Sequence, residues 1–354
     1  MDKTILGIDI GHDTLKLALC RGKNVKKTAI VTIPEQLVKN GRIISNESMA
    51  ELLRTTIKAN GMRCSNAAVC FPNENVYTKN VTMPIMNTEQ LEYNLPYEFR
   101  DYITDELKNY VFDYAMITTV DEIKERLSDD STDNDDQHEP GDFEAPSSRQ
   151  MELIAAAAPV EFIEMYKDVC RKAGLRLIKG APSITPLRTL IRANSDKYQD
   201  EAFSNEYCFL DLGYRAIRMY MFKGESHNVT RVLDIGLSNL DEVIADSYNV
   251  DIHLAHTYLL NNHEDCQTSE ACMNAYTQIA VELMRALNFY QFNNPESRLD
   301  DIWVCGGGAA IPALIEAISN QINQKLHNVR EMIPGGDSID NCYSLALAVG
   351  IAME

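Results

Sequence analysis

A strand-turn-strand motif that occurs twice constrains the fold of this chain more than any other feature. Residues 4–22 and 207–224 each read as an apolar strand ending in Asp-x-Gly, a tight turn, a second alternating strand and a closing glycine. The Asp-x-Gly pairs are Asp9 with Gly11 and Asp211 with Gly213. Two such hairpins far apart in the chain predict two similar domains that face one cleft, and that cleft is a natural nucleotide site.

Length and charge narrow the class of protein. The chain has 354 residues, which is more than one hydrophobic core usually supports. Its net charge of −19 argues against a nucleic-acid partner, because binding to the phosphate backbone needs a basic face. Residues 121–144 carry −9 of this charge. No apolar run approaches the roughly 20 residues needed to cross a bilayer, so we expect membrane association only through a partner.

Hydrophobic periodicity and composition divide the chain into four parts. The predicted boundaries are a first-lobe core at 1–75 and 176–195, an inserted β-α-β-β-α subdomain at 76–175, a second-lobe core at 196–245 and 299–354, and a helical subdomain at 246–298. Within the insertion, the acidic stretch at about 121–149 reads as disordered. An apolar helix is predicted at about 339–353, at the end of the second-lobe core.

Three segments carry residues suited to nucleotide chemistry. The hairpin glycines allow backbone N–H groups to point at phosphate oxygens. Asp9 and Asp211 are the candidate catalytic residues and metal ligands, because carboxylates suit a hydrated magnesium ion. A buried strand leading to 306–308, a run of three glycines, could let an adenine or ribose lie against bare backbone. Each segment alone is ordinary turn chemistry, but the three together favour a nucleotide cleft.

These three segments resemble the sequence motifs of a known superfamily. Gly-Ile-Asp-Ile-Gly, Leu-Asp-Leu-Gly and Val-Cys-Gly-Gly-Gly-Ala-Ala-Ile-Pro resemble the phosphate 1, phosphate 2 and adenosine motifs of the actin-like ATPase superfamily. More narrowly, nearly the whole chain except the acidic segment resembles the PilM family of type IV pilus assembly, relatives of the division protein FtsA. The narrower resemblance rests on Met83-Pro84, Tyr97-Glu-Phe, the stretch from Ile154 to Tyr166, Ala173-Gly-Leu and the stretch from Arg285 to Tyr290.

The resemblance implies an α/β, actin-like two-lobed fold of two ribonuclease-H-like domains with an inserted subdomain called 1C. It implies a cytoplasmic protein, peripheral to the inner face of the membrane, that binds the cytoplasmic tail of a PilN-like membrane protein beside other pilus platform subunits. It also implies ATP or ADP with Mg²⁺ between the lobes. The candidate nucleotide contacts are Gly11, His12, Asp13, Thr14, Lys16, Gly213, Tyr214, Arg215, Glu282, Arg285, Gly306, Gly307, Gly308 and Ala309.

Three departures from the family pattern predict weak nucleotide binding and little or no hydrolysis. Asp13 stands where the family has small hydroxyl residues, and a like charge a few ångströms from phosphate costs about 4 kcal/mol at a surface-like dielectric. Tyr214 and Arg215 replace small or hydroxyl residues after the second motif. The family's Ala-Glu-x-x-Lys, whose polar ends grip the nucleoside, aligns with Ala-His-Thr-Tyr-Leu at 255–259.

The histidines at 253, 256 and 263, near Asp265 and Cys266, suggest a metal cluster. We favour a solvated polar helix end instead, because nothing in the sequence closes a ligand set.

The helix predicted from Thr88 carries the candidate partner groove. Its apolar stripe has tyrosines and Arg100 beside it, and such residues are favoured at protein interfaces. Packing against the insertion's own sheet explains the stripe equally well. The groove candidates are Leu91, Leu95, Phe99 and Tyr102.

The favoured function is an adaptor in a type IV pilus or related secretion machine. The alternatives are an active ATPase of the same fold that couples hydrolysis to pilus assembly, and an FtsA-like filament-forming protein. A sugar or acetate kinase is less favoured, because neither a catalytic carboxylate nor a substrate-binding insert is evident.

Overall fold

The computed structural model describes residues 3–118, Ile123, 150–194 and 205–353. The chain divides into two compact units, one formed by Met1–Phe71 with Asp168–Glu354 and the other by Pro72–Lys167. The second unit is the inserted subdomain, for which the sequence predicted boundaries at 76 and 175. Except for Ile123, the stretch predicted to be disordered lies outside the described residues.

The first unit contains two five-stranded mixed sheets. The first has the order β10 (Arg176–Pro182), β6 (Asn66–Phe71), β1 (Thr4–Ile10), β2 (Thr14–Arg21) and β3 (Asn24–Thr32). The second has the order β15 (Lys325–Asn328), β14 (Asp301–Cys305), β11 (Glu206–Leu212), β12 (Ile217–Lys223) and β13 (Ser226–Leu233). A short hairpin, β4 (Val38–Lys39) with β5 (Arg42–Ile43), follows the first three strands.

The two sheets have the same pattern of pairing. In each, the first strand of the repeated motif pairs antiparallel with the second and parallel with a later strand. Asp9 and Asp211 therefore occupy equivalent places, opposite Lys16 and Arg218 respectively. The motif that is repeated in the sequence therefore forms the same strand arrangement in both sheets.

Most helix ends are set by local signals. The helices are α1 (Asn46–Ala59), α2 (Thr88–Asn94), α3 (Val160–Lys172), α4 (Ile184–Ala193), α5 (Leu237–Tyr248), α6 (Ile252–Asn261), α7 (Glu270–Asn293), α8 (Pro312–Gln321) and α9 (Ala346–Ala352). Ser45 caps α1 by accepting a hydrogen bond from the backbone N–H of Ser48, and Gly61 ends it at φ +57°. Asp251 caps α6 in the same way, accepting from two backbone N–H groups.

The inserted unit is a three-stranded antiparallel sheet with α2 packed on it. The strand order is β7 (Tyr77–Pro84), β9 (Gln150–Pro159) and β8 (Tyr110–Met116). Pro96 lies in a 3-10 turn, Leu95–Phe99, that follows α2, because a proline inside a helix breaks the α-helical hydrogen bonding. The core combines apolar side chains of α2, this turn and the sheet.

The C-terminal helix differs from its prediction in length and in place. It is confined to Ala346–Ala352, because Gly335 and Asn341 have positive φ and the chain makes short 3-10 turns before it. The sequence assigned 299–354 to the second lobe, whereas α9 packs on β1, β2 and β6 of the first sheet. Gly7 makes this close approach feasible, since a Cβ there would overlap the carbonyl oxygen of Ala348. An apolar helix of small residues does not reveal which sheet it will cover.

Candidate functional site

Lys16 lies at the centre of the repeated motifs. Its Nζ is 3.4 Å from Oδ2 of Asp9. Burial by itself would lower the pKa of Lys16, but the negative charges of Asp9 and Asp211 raise that pKa overall. An ammonium group therefore pairs with Asp9 and is held charged by Asp211, the two aspartates that the sequence proposed as metal ligands.

The turn glycines bring all three motifs to this place. The N–H of Gly11 donates to the carbonyl oxygen of Thr14 (3.0 Å), and a Cβ on Gly11 would lie 3.3 Å from Nζ of Lys16. Gly306 has φ +85°, and a Cβ there would collide with Oδ1 of Asp211. The phosphate 1, phosphate 2 and adenosine segments therefore meet around Asp9, Lys16 and Asp211.

Packing within the protein accounts for part of the triple glycine. A Cβ on Gly308 would lie 2.7 Å from Cβ of Leu212, and one on Gly307 would lie 3.3 Å from Cδ1 of Leu237. The space for side chains at 306 and 308 is thus filled by the end of β11. At Gly307, by contrast, an added Cβ would meet only the flexible end of the Leu237 side chain.

His256 joins two carboxylates from separate elements. One ring nitrogen, Nδ1, is 2.9 Å from Oδ2 of Asp241 on α5, and the other, Nε2, is 3.6 Å from Oδ2 of Asp13 in the β1–β2 turn. Hydrogen bonding to Asp13 and Asp241 raises the pKa of His256 to about 10. The imidazolium is therefore charged at neutral pH, and each N–H points to a carboxylate.

Tyr214 completes this arrangement. Its ring meets the ring of His256 edge-on, with 5.3 Å between centroids. Burial raises the pKa of Tyr214, and the charge of Asp241 adds to the effect. Asp13, Tyr214, Asp241 and His256 are called the His256 cluster below. Three of the four are positions where the sequence departs from the family pattern, so the departures are one connected feature.

The His256 cluster was not predicted from the sequence, and Asp241 was not among the candidate residues. The available signal was a carboxylate among the apolar positions of α5, since Asp241 is fully buried beside Leu237, Leu240 and Ile244. A buried carboxylate calls for a partner of opposite charge.

The other histidines do not form the metal cluster that we considered. Nε2 of the exposed His253 lies 3.4 Å from Oε2 of Glu35, and His263 stacks on Tyr258 with 4.0 Å between ring centroids. Across the described ranges, no group of three or more His, Cys, Asp or Glu side chains is arranged to hold a metal ion. The interpretation of these residues as a solvated helix end is wrong for His256, which is the partner of two carboxylates.

The remaining nucleotide candidates are spread over several elements. Glu282 and Arg285 pair with each other on the surface of α7 (2.6 Å). Arg215 is exposed, and Ala309 packs against the core of the second sheet. His12 lies with Asp13 in the turn between β1 and β2, and Thr14 begins β2.

The groove candidates separate into two groups. Leu91, Leu95 and Phe99 are buried in the insertion's own core, so their side chains do not line a groove in this structure. Tyr102 is 55% exposed, and the neighbouring Tyr93 and Tyr97 are 70% and 40% exposed. Cations lie over two of these rings, Lys79 5.2 Å from the centroid of Tyr102 and Arg100 4.2 Å from that of Tyr97. Lys79, Tyr93, Tyr97, Arg100 and Tyr102 are called the tyrosine face below.

The raised pKa of His256 predicts a specific pH dependence of stability. The folded value of about 10 exceeds the unfolded value of about 6.5, so the stabilisation is complete below about pH 6.5 and is lost as pH rises through about 10. We expect His256→Gln to lower the free energy of unfolding by about 1–3 kcal/mol at pH 6 and by much less at pH 10. Urea unfolding across this range measures the difference. His253→Gln, at an exposed position, is the matched control. If the loss of unfolding free energy in His256→Gln did not change with pH, the charged state of His256 would not be its cause.

Comparison with known proteins agrees with the sequence resemblance. The family model described as type IV pilus assembly protein PilM matches residues 7–129 and 142–354. The structure is similar to a chain of a solved PilM–PilN type IV pilus biogenesis complex, with 20% identity, 98% of this chain and 97% of that chain covered, and a TM-score of 0.77. It is also similar to the ethanolamine utilization protein EutJ from Carboxydothermus hydrogenoformans, with 13% identity, coverage of 100% and 90%, and a TM-score of 0.59.

No curated protein matches the sequence. Among the helices described, none combines the length and the apolar character needed to cross a bilayer. The structural likenesses confirm the predicted actin-like ATPase fold. Because the family model spans almost the entire sequence, the chain belongs to the PilM family of type IV pilus assembly proteins.

Proposed function

We propose that this protein is a cytoplasmic adaptor of a type IV pilus or related machine, peripheral to the inner membrane through its partners. It binds the cytoplasmic tail of a PilN-like membrane subunit and contacts other platform subunits. Family membership and the likeness to a chain from a PilM–PilN complex support this proposal. Nucleotide is at most a weak effector.

The charge arrangement around Lys16 and His256 is the observation that favours an adaptor over an ATPase. Four carboxylates from different elements lie there with Lys16, His256 and Arg218, which is paired opposite Asp211, and both Lys16 and His256 have carboxylate partners already. The carboxylates are Asp9, Asp13, Asp211 and Asp241. An incoming triphosphate would meet these negative charges while its cationic partners are engaged, so the residues present fit a triphosphate poorly.

The placing of Asp9 and Asp211 on either side of Lys16 favours the alternative of an active ATPase. These carboxylates could hold Mg²⁺ if Lys16 moved aside, and the ion would supply charge neutralisation for phosphate. Phosphate release by the purified protein with MgATP, compared with Asp9→Ala, tests the alternative. We expect the two rates to be equal, and turnover that disappears in Asp9→Ala would favour the ATPase.

The tyrosine face is the surface that we assign to the partner tail. Exposed aromatic rings supply contact area at low entropic cost, and the exposed Arg100 suits an acidic residue of a peptide, whereas Lys79 already pairs with Glu98 (3.3 Å). The chemistry predicts a tail with apolar side chains next to at least one carboxylate.

Fluorescence polarisation with a labelled tail peptide of the PilN-like subunit from the same cell tests this assignment. Tyr97→Ala should weaken binding by about tenfold, because it removes a ring and the stacking partner of Arg100. Phe292→Ala is the matched control, since Phe292 is an aromatic side chain that is 83% exposed on α7 of the other unit. Equal losses in both variants, or no peptide binding by the unmodified protein, would argue against the tyrosine face.

A further inference from the structure

The end of the first sheet that lies away from Asp9 carries an unusual concentration of positive charge. Strand β1 runs from Thr4 toward Asp9, and Thr4 pairs with Arg21 at the end of β2. Arg21 in turn pairs with Asn24 at the start of β3. The hairpin between β2 and β3 is therefore at the opposite end of the sheet from Lys16 and its aspartates.

Helix α1 brings further cations to the same end. Nζ of Lys27 donates to the carbonyl oxygens of Asn60 (3.0 Å) and Gly61 (2.9 Å), just after the helix. The thiol of Cys64 donates to the carbonyl oxygen of Thr4 (3.1 Å), which holds the next turn of chain against the start of β1. The residues gathered here, called the basic end below, are Arg21, Lys23, Lys26, Lys27, Lys58 and Arg63.

Among the described residues, no acidic side chain pairs with any of these six cations. All six belong to exposed residues. The segments 21–28 and 58–66 contain no Asp or Glu at all. Residues 1–66 carry eleven basic and six acidic side chains, a net charge of +5 in a protein whose total is −19. Such a local reversal of sign marks a surface for an anionic partner.

The arrangement of the cations at the basic end indicates which kind of anionic partner binds there. Its cations are spread over a hairpin, a helix end and a loop, and segments 21–28 and 58–66 contain no aromatic residue that could anchor a peptide. Binding to a charged bilayer needs only several cations that reach one surface together. The acidic remainder of the protein is repelled by the same surface, which would orient the basic end toward it.

We propose that the basic end docks directly on an anionic phospholipid surface. This contact is additional to the tail of a membrane subunit and leaves the opposite end of the sheet, with Asp9 and Lys16, away from the bilayer.

Co-sedimentation of the full-length protein with vesicles tests the proposal. The vesicles contain phosphatidylcholine alone or with about 30% phosphatidylglycerol, in about 50 mM or about 300 mM NaCl. We expect binding only to the anionic vesicles, and at least about tenfold weaker binding in the higher salt, because the interaction is electrostatic and screened. The triple variant Lys23→Glu, Lys26→Glu, Lys58→Glu should lose about tenfold or more in binding to anionic vesicles at low salt.

A matched triple variant separates the basic end from net charge. Lys108→Glu, Arg298→Glu and Lys325→Glu change the total charge equally at exposed positions elsewhere, and should alter binding by less than about twofold. Circular dichroism checks folding, and the triple variant Lys23→Gln, Lys26→Gln, Lys58→Gln replaces the charge-reversal variant if that one is unfolded. Equal binding to neutral vesicles, no binding to anionic ones, or equal losses in both triples would overturn the proposal. Retention of the unmodified protein on polyglutamate resin without vesicle binding would assign the surface to an acidic polypeptide instead.

Discussion

Lys16→Met is expected to lower the free energy of unfolding by about 3–5 kcal/mol. The ammonium group is 3.4 Å from Asp9, its side chain is only 15% exposed, and Asp211 also acts on it. Removing the cation leaves Asp9 without the ammonium group that it faces in a poorly solvated place, and takes a favourable charge away from Asp211. Urea unfolding at pH 7 measures the loss.

Two controls distinguish lost charge from lost packing. Asp9→Asn added to Lys16→Met should restore a substantial part of the stability, because the second change removes one of the uncompensated charges. Millimolar Mg²⁺ should stabilise Lys16→Met more than the unmodified protein, since the ion can take the place of the ammonium group. If Lys16→Met unfolds at the same urea concentration as the unmodified protein, Lys16 does not neutralise these aspartates.

Gly7→Ala is expected to cost about 3 kcal/mol or more, or to prevent folding. The new methyl group would overlap the carbonyl oxygen of Ala348 and lie 2.9 Å from Cβ of Ala352, so β1 and α9 would have to separate. Backbone atoms of a buried helix cannot move aside as a side-chain end can. Thermal unfolding and the yield of soluble protein measure the effect.

Gly307→Ala is the matched control for this substitution. Its methyl group would meet only Cδ1 of Leu237, at 3.3 Å, and the backbone there does not have positive φ. We expect a loss below about 1 kcal/mol, because a leucine end can rotate away. Similar losses in both variants would show that the close packing of α9 on β1 is not what makes Gly7 necessary.

Local patterns were sufficient to predict most of the elements. The β2–β3 hairpin, α1 with its end at Gly61, and the 3-10 turn at Pro96 all follow from periodicity and from residues with restricted or permissive backbones. The two Asp-x-Gly hairpins also predicted two equivalent sheets, because identical strand pairs recruit equivalent neighbours.

The candidate site was predicted only in part. Asp9, Asp211 and Gly306 come together as expected from their motifs, since each ends a strand of a paired sheet. The departures at Asp13, Tyr214 and His256 were seen individually as lost contacts with nucleotide. Their mutual contacts through His256, and its pairing with Asp241, were not predicted, because residues from separate segments carry no shared local pattern.

The sequence by itself determined the type of most elements, the repeated hairpins and the family, because these depend on side-chain periodicity and on short motifs along the chain, whereas the short strands β4, β5 and β15 were not predicted. Only the tertiary structure decided that α9 covers the first sheet, that the apolar stripe of α2 is core, and that His256 holds two carboxylates. The physical reason is that burial and ion pairing depend on distances between segments remote in sequence, and neither an apolar stripe nor a lone histidine specifies its partner.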